Sequence, residues 1–219
     1  MKILFYDKHI IVCDKRAGEL SEGEGKDALP TLISERLSTL GEKNTQVLPV
    51  HRLDRETSGV IVFARDSASA AALSAYIQDG SFKKQYLAVL TGQPEHRSGT
   101  LCDLLFYDRR RGKSFVVDRK RAGVKQAVLD YTELCRADSL SLVSVTIHTG
   151  RTHQIRVQFA SRALPLVGDR RYGAPRSEAP SVALLSRTLG FPHPSSGELL
   201  EFTAAVPESY PWTFFDGNF

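Results

Sequence analysis

The polar segment HRLDRETSG at residues 51–59 runs directly into Val60-Ile61-Val62-Phe63-Ala64, and this junction constrains the fold more than any other stretch of the chain. Five apolar residues in succession, three of them β-branched, suit a strand covered on both faces, whereas a strand with one wet face would alternate. Such a strand needs other elements packed above and below it. The nine residues before it are polar and turn-forming, so a charged loop is rooted at the edge of a buried strand. Groups placed on such elements can be positioned accurately.

The neighbouring segments supply the cover. Ile3 and Phe5, then Asp7-Lys8-His9, then Ile10-Ile11-Val12 read as two strands joined by a tight turn. Residues 18–26 read as a polar, glycine-rich loop. Leu32, Ile33, Leu37 and Leu40 recur at helical spacing between Pro30, suited to a first helical position, and Gly41, suited to a stop. An alanine-rich helix is expected over 67–79, ending at Gly80, and an alternating strand over 85–90. Residues 95–127 have few apolar positions in series and are expected to form hairpins or an excursion on the surface rather than core. A β-branched strand follows at 140–147. After Gly150 the residues Ile155, Phe159 and Ala163 favour a short helix before Pro165, although alternation over 152–158 also allows a strand. The proline- and glycine-punctuated tail is consistent with a final hairpin and a closing segment.

A chain of 219 residues with 42% hydrophobic content can close a real core. No repeat or linker demands a second domain, so a single domain over 1–219 is expected. The charge is uneven. Eight basic residues between Arg109 and Lys125 face one acid, Asp118, which exceeds the whole chain's net charge of +4. A polyanionic partner would suit that stretch, with Phe106, Tyr107 and Phe115 nearby for stacking; a solvated loop is the alternative. Cys13, Cys102 and Cys135 lie too far apart for a CxxC pair and are odd in number, so reduced, mostly buried thiols are expected in a cytoplasmic protein. Asp7, Lys8 and His9 interrupt the first apolar run before it could span a bilayer. The histidines show no zinc spacing, and neither GxGxxG nor a P-loop is present, so no metal and no cofactor is expected.

Taken alone, the polar residues on these elements read plainly. Asp54 would be a turn carboxylate paired with Arg52 or Arg55, Tyr86 a tyrosine at the core edge, and Arg156 a solvated charge on a helix.

Four strings in order change that reading. HRLDRETSGVIVFARD at 51–66, KKQY at 83–86, TGRTHQIRV at 149–157 and LPLVGDRRYG at 164–173 together resemble the RluA-type pseudouridine synthases, RNA uridine isomerases. The resemblance runs from the first hairpin to Pro207. It implies an α+β pseudouridine synthase fold, a mixed, mostly antiparallel sheet flanked by helices with a central RNA-binding cleft, and a cofactor-free conversion of uridine to pseudouridine in ribosomal or transfer RNA. It also implies that Asp54 is the catalytic carboxylate, that Tyr86 lies against the uracil, and that Arg156 pairs with Asp54. Arg52 resembles the arginine that fills the space left by the extruded nucleotide, and His51 and Arg52 are both expected RNA contacts. Arg109, Arg110, Arg111, Lys120, Arg151 and Arg171 are the other expected RNA contacts. RNA is the expected partner of a monomer with no membrane attachment and no obligate protein partner.

The chain departs from the family pattern at Arg16, where proline is usual, at Gln158 in place of a common histidine, and at LLSR, 184–187, which lacks the usual histidine. These departures put the RNA-facing loops in question rather than the reaction. Two rivals share the same residues. A catalytically silent RNA-binding module would bind without isomerising, and an N-ribosyl hydrolase would release free uracil.

Overall fold

The doubly covered strand anticipated at 60–64 lies in β4, Ser58–Ala64, where Val60 to Ala64 are wholly buried. The computed structural model describes residues 1–215. These fall into two compact units, one formed by Met1–Lys84 with Leu185–Ala205 and the other by Gln85–Leu184 with the chain from Val206.

In the first unit, β1 (Lys2–Tyr6) and β2 (Ile10–Lys15) form the expected hairpin, and β2 runs antiparallel along the full edge of β4. The other edge of β4 is shared. The short β3 (Leu48–Pro49) pairs with its end at Phe63 and Ala64. At its start, Ser58 and Gly59 pair in parallel with Leu185 and Ser186 of β10 (Leu184–Pro192), which in turn pairs with β11 (Leu199–Thr203). Gly59 has φ +108, and a Cβ there would stand 2.2 Å from the Ser186 carbonyl oxygen. The last glycine of HRLDRETSG is therefore fixed by close strand approach. Helix α1 (Leu29–Thr39) buries Leu29, Ile33 and Leu37; of the other two positions in the expected spacing, Leu32 is half-buried and Leu40, which caps the helix, is exposed. Helix α2 (Ser67–Asp79) starts on the Asp66 carboxylate, which accepts from the Ser69 N–H at 2.8 Å, and stops at Gly80 in the left-handed region.

The second unit is an antiparallel sheet in the order β5 (Lys83–Thr91), β9 (Leu140–Ile147), β8 (Val124–Ala137), β6 (Ser98–Asp108), β7 (Lys113–Val117). The ambiguous stretch after Gly150 is helical, as α3 (Gln154–Ala160). Val157 of α3 packs with Leu105, Ala127 and Tyr172. Gln158, one of the family departures, lies in the interior rather than on an exposed loop. It is buried, and its amide donates to Asp103 Oδ2 at 2.8 Å and to the Leu101 carbonyl at 3.2 Å, tying α3 to β6.

Two expectations need correction. Residues 95–127 do form hairpins, but they are not a surface excursion: β6 lies between β8 and β7, with Leu101, Leu105 and Ala127 buried. Their apolar positions are sparse because only one face of these strands is covered. The thiols are not mostly buried either. Only Cys13 is, and burial pushes it up to about 12; Cys102 is exposed and Cys135 half-buried. Among the described residues no helix is long and apolar enough to cross a membrane.

Candidate active site

The loop that carries Asp54 is fastened to the segment just after β2. Gly18 N–H donates to the Arg55 carbonyl at 2.7 Å, and Arg55 Nε donates to the Gly18 carbonyl at 2.9 Å. Ser21 Oγ both donates to the Leu53 carbonyl (2.9 Å) and accepts the Leu53 N–H (3.0 Å). The Thr57 N–H closes the turn on the Asp54 carbonyl at 3.0 Å. Beneath the loop lies Lys15, 1% exposed, whose ammonium donates to the carbonyls of Thr57 (2.6 Å), Arg55 (3.0 Å) and Arg16 (3.1 Å). Burial brings this ammonium down to about 8, against the pull of Glu19 and Asp54. Lys15 escaped the sequence reading. Its segment, DKRAG, stood out only for Arg16, and a lysine at a strand end ordinarily points to water.

The plain pairings for Asp54 do not form. Arg52 is exposed and bonds Glu22 through Nη1 at 2.5 Å, and Arg55 is engaged with Gly18. His51 turns inward. Its Nε2 accepts the Val62 N–H at 3.2 Å, its ring meets Phe82 edge-on at 5.3 Å, and its Nδ1 is buried with no acceptor among the described residues. Burial, with the charge of Lys84 nearby, holds the imidazole well below its ordinary value, so it is neutral.

The second unit holds Tyr86 and Arg156. Tyr86 is buried on β5 opposite Val145 of β9. Arg156 is no solvated charge. It is 2% exposed, and its Nε and Nη2 donate to the two carboxylate oxygens of Asp169 at 2.6 and 2.8 Å, a bidentate pair with Asp169 itself buried. The guanidinium lies 5.3 Å from the Tyr172 ring centroid, and Lys113 Nζ lies 4.9 Å from the same ring. The Tyr172 hydroxyl accepts the Ser114 N–H at 2.8 Å and bonds His153 Nδ1 at 2.9 Å. Burial pushes that phenol up to about 12. Asp169 and Tyr172 come from the string LPLVGDRRYG, quoted above without roles; no spacing rule joins residues 156 and 169.

Several expected RNA contacts share a surface of the second unit. Arg109, Arg110 and Arg111 are exposed in the turn between β6 and β7, and Arg171 reaches the same turn, donating to the Gly112 carbonyl at 2.8 Å. Lys120 is exposed between β7 and β8, and Arg151 Nε donates to the Gln126 carbonyl at 2.9 Å. The aromatic rings nearby already carry cations: Arg121 lies 4.9 Å from Phe106, and Lys113 lies 5.7 Å from Phe115. Among the described residues no group of three or more histidine, cysteine or carboxylate side chains is placed to hold a metal.

Residues 9–161 match the family model described as RNA pseudouridylate synthase. The chain is 31% identical to ribosomal large subunit pseudouridine synthase D of Zymomonas mobilis, over 98% of this chain and 72% of that protein. It is 34% identical to the dual-specificity RNA pseudouridine synthase RluA of Escherichia coli, over 92% of this chain and 91% of that one. Among solved structures it resembles human RNA pseudouridylate synthase domain containing 4, with a TM-score of 0.79 at 25% identity, covering 94% and 89% of the two chains.

Proposed function

The chain belongs to the RNA pseudouridylate synthase family and isomerises uridine to pseudouridine in RNA, and from that premise we propose that Asp54 is its catalytic carboxylate and that ribosomal or transfer RNA is the substrate. The observation that carries this reading is the family match over 9–161, within which HRLD holds its one aspartate at position 54. The reaction breaks the bond from N1 to C1′, turns the uracil and joins C5 to C1′. The C5 proton leaves and N1 gains one, so nothing is added or lost overall. An ionised carboxylate serves either available route, attack on C1′ or removal of a ribose proton, and stabilises positive charge developing at the anomeric carbon.

Tyr86 and Arg156 are the other two catalytic groups in this proposal, in the roles the motif resemblance gives them. A tyrosine offers a flat face to uracil and a hydroxyl able to exchange protons. An arginine fixed in one plane supplies positive charge without reorganising during the reaction. Removing the target uridine from its stack costs a few kcal/mol, and exposed Arg52 and the basic surface of Arg109–Arg111, Lys120, Arg151 and Arg171 are proposed to return that energy through RNA contacts. His51, its ring turned inward, serves in this proposal by supporting Arg52 from within the loop. The enzyme is proposed to act as one catalytic domain and as a monomer in the cytoplasm, without cofactor or obligate partner.

The test is release of tritium into water from cellular RNA tritiated at uracil C5. The wild type is expected to release it, and Asp54→Asn to lose on the order of 10³-fold or more in rate while keeping the circular dichroism spectrum of the folded protein. Equal release by both proteins would sink the assignment of Asp54.

A further inference from the structure

Two lysines of the first unit are brought by burial to the same place, about 8, and reach it in different company. Lys15 spends its ammonium on three carbonyls. Lys84, half-buried at the start of β5, makes no hydrogen bond and no ion pair among the described residues; its Nζ rests 5.1 Å from the centroid of Phe82. That platform is rigid. Phe82 stacks on Phe191 at 5.1 Å and 9°, and Phe191 leans on Phe202 at 6.0 Å. His51 meets the same Phe82 ring at 5.3 Å and feels the charge of Lys84, so the ammonium stands beside the loop that carries Asp54.

An aromatic face attracts a cation only weakly, while taking an ammonium out of water is far more costly. Phe82 therefore does not offset the burial, and among the described residues no carboxylate does. A charge kept in this condition on a fixed platform is set to receive an anion, since no reorganisation is needed when the anion arrives. We propose that Lys84 binds a backbone phosphate of the RNA strand that delivers the target uridine. The proposal rests on the uridine-isomerase reading for the identity of its ligand. A phosphate suits the site better than a uracil carbonyl because it brings the missing negative charge. A lysine, acting as a point charge, needs no bidentate geometry to use it.

The experiment compares wild type, Lys84→Met and Lys84→Arg in tritium release from C5-tritiated cellular RNA across a range of salt. Binding of a fluorescein-labelled RNA hairpin with a uridine loop is measured in parallel. Loss of one charge-assisted contact should raise KM about tenfold in Lys84→Met, with kcat within about twofold of wild type. The slope of log(kcat/KM) against log salt should become shallower by about 0.7–0.9, the share of one phosphate, and the hairpin should show the same change. Lys84→Arg, which keeps the charge, should restore the slope. Unchanged KM and slope would overturn the proposal. So would a fall in kcat alone, which would place Lys84 in the chemistry, or a lowered melt that arginine fails to rescue, which would make it a packing residue. Absence of tritium release by the wild type would defeat the isomerase reading instead, and the hairpin slope would still decide the role of Lys84.

Discussion

In the first unit a buried cation, Lys15, holds the Asp54 loop through the backbone carbonyls of Arg55 and Thr57; in the second a buried carboxylate, Asp169, holds Arg156 through two side-chain hydrogen bonds. The first arrangement fixes the course of the chain and is indifferent to which side chains the loop presents. The second fixes one side chain and depends on the identity of both partners. A loop gripped by its backbone can carry reactive groups without asking them to support the fold. A buried ion pair makes the side chain proposed to act in catalysis part of the fold, so damage there should appear in stability as well as in rate.

The largest expected difference lies in Asp169→Ala. Removing one member of a buried, bidentate ion pair costs about 3–5 kcal/mol. In a protein of this size that lowers Tm by about 2–4 °C per kcal/mol. A thermal melt unchanged by Asp169→Ala would show that Arg156 is held by other means.

Lys15→Met should separate the two modes of support. Three carbonyls lose their donor, at about 0.5–1.5 kcal/mol each, but the ammonium no longer has to be desolvated. The net stability change is expected to stay under about 2 kcal/mol, while a loosened Asp54 loop should lower kcat on the order of 10²-fold. A melt lowered as far as that of Asp169→Ala, with kcat preserved, would erase the contrast between backbone and side-chain support.

The smallest effects are expected from pH, with opposite sign in the two units. Tyr172 titrates at about 12 in the folded protein against about 10 in an unfolded chain, so between those values the folded state keeps a proton that the unfolded state has lost. Its stabilising contribution is present below about pH 10 and is lost as pH rises towards 12; Tyr172→Phe should abolish this alkaline sensitivity. His51 titrates well below 6.5 when folded, so the unfolded chain takes up its proton first on acidification. Its contribution is present above about pH 6.5 and fades as pH falls, a dependence that His51→Gln should flatten. Melting temperature measured across pH for the three proteins checks both signs, and a wild-type profile flat at both ends would refute them together.

Much of the fold was legible because its signals are local. The run Val60 to Ala64, the helix bounded by Asp66 and Gly80, and the β-branched strand 140–147 each carry their period and their stops within a few residues. Residues 95–127 misled because β6 and β8 are covered on one face, leaving their apolar positions too sparse to register as core. Of the candidate site, the strings containing Asp54, Tyr86 and Arg156 could be read in order, but what supports them could not. Arg156 looked like a solvated helix charge until Asp169, thirteen residues on, was found against it. Lys15 and Lys84 look alike in the sequence, and only their surroundings separate a cation held by carbonyls from one resting on an aromatic face.

The sequence by itself determined the family, the reaction and the residue types at the motif positions, because those reside in contiguous strings. Tertiary structure alone decided how each charge is kept: Lys15 by carbonyls, Arg156 by Asp169 under Tyr172, and Lys84 on the face of Phe82. The physical reason is that the cost of a buried charge depends on solvent exclusion and on partners brought together by folding from distant parts of the chain. Neither quantity is a property of any short segment.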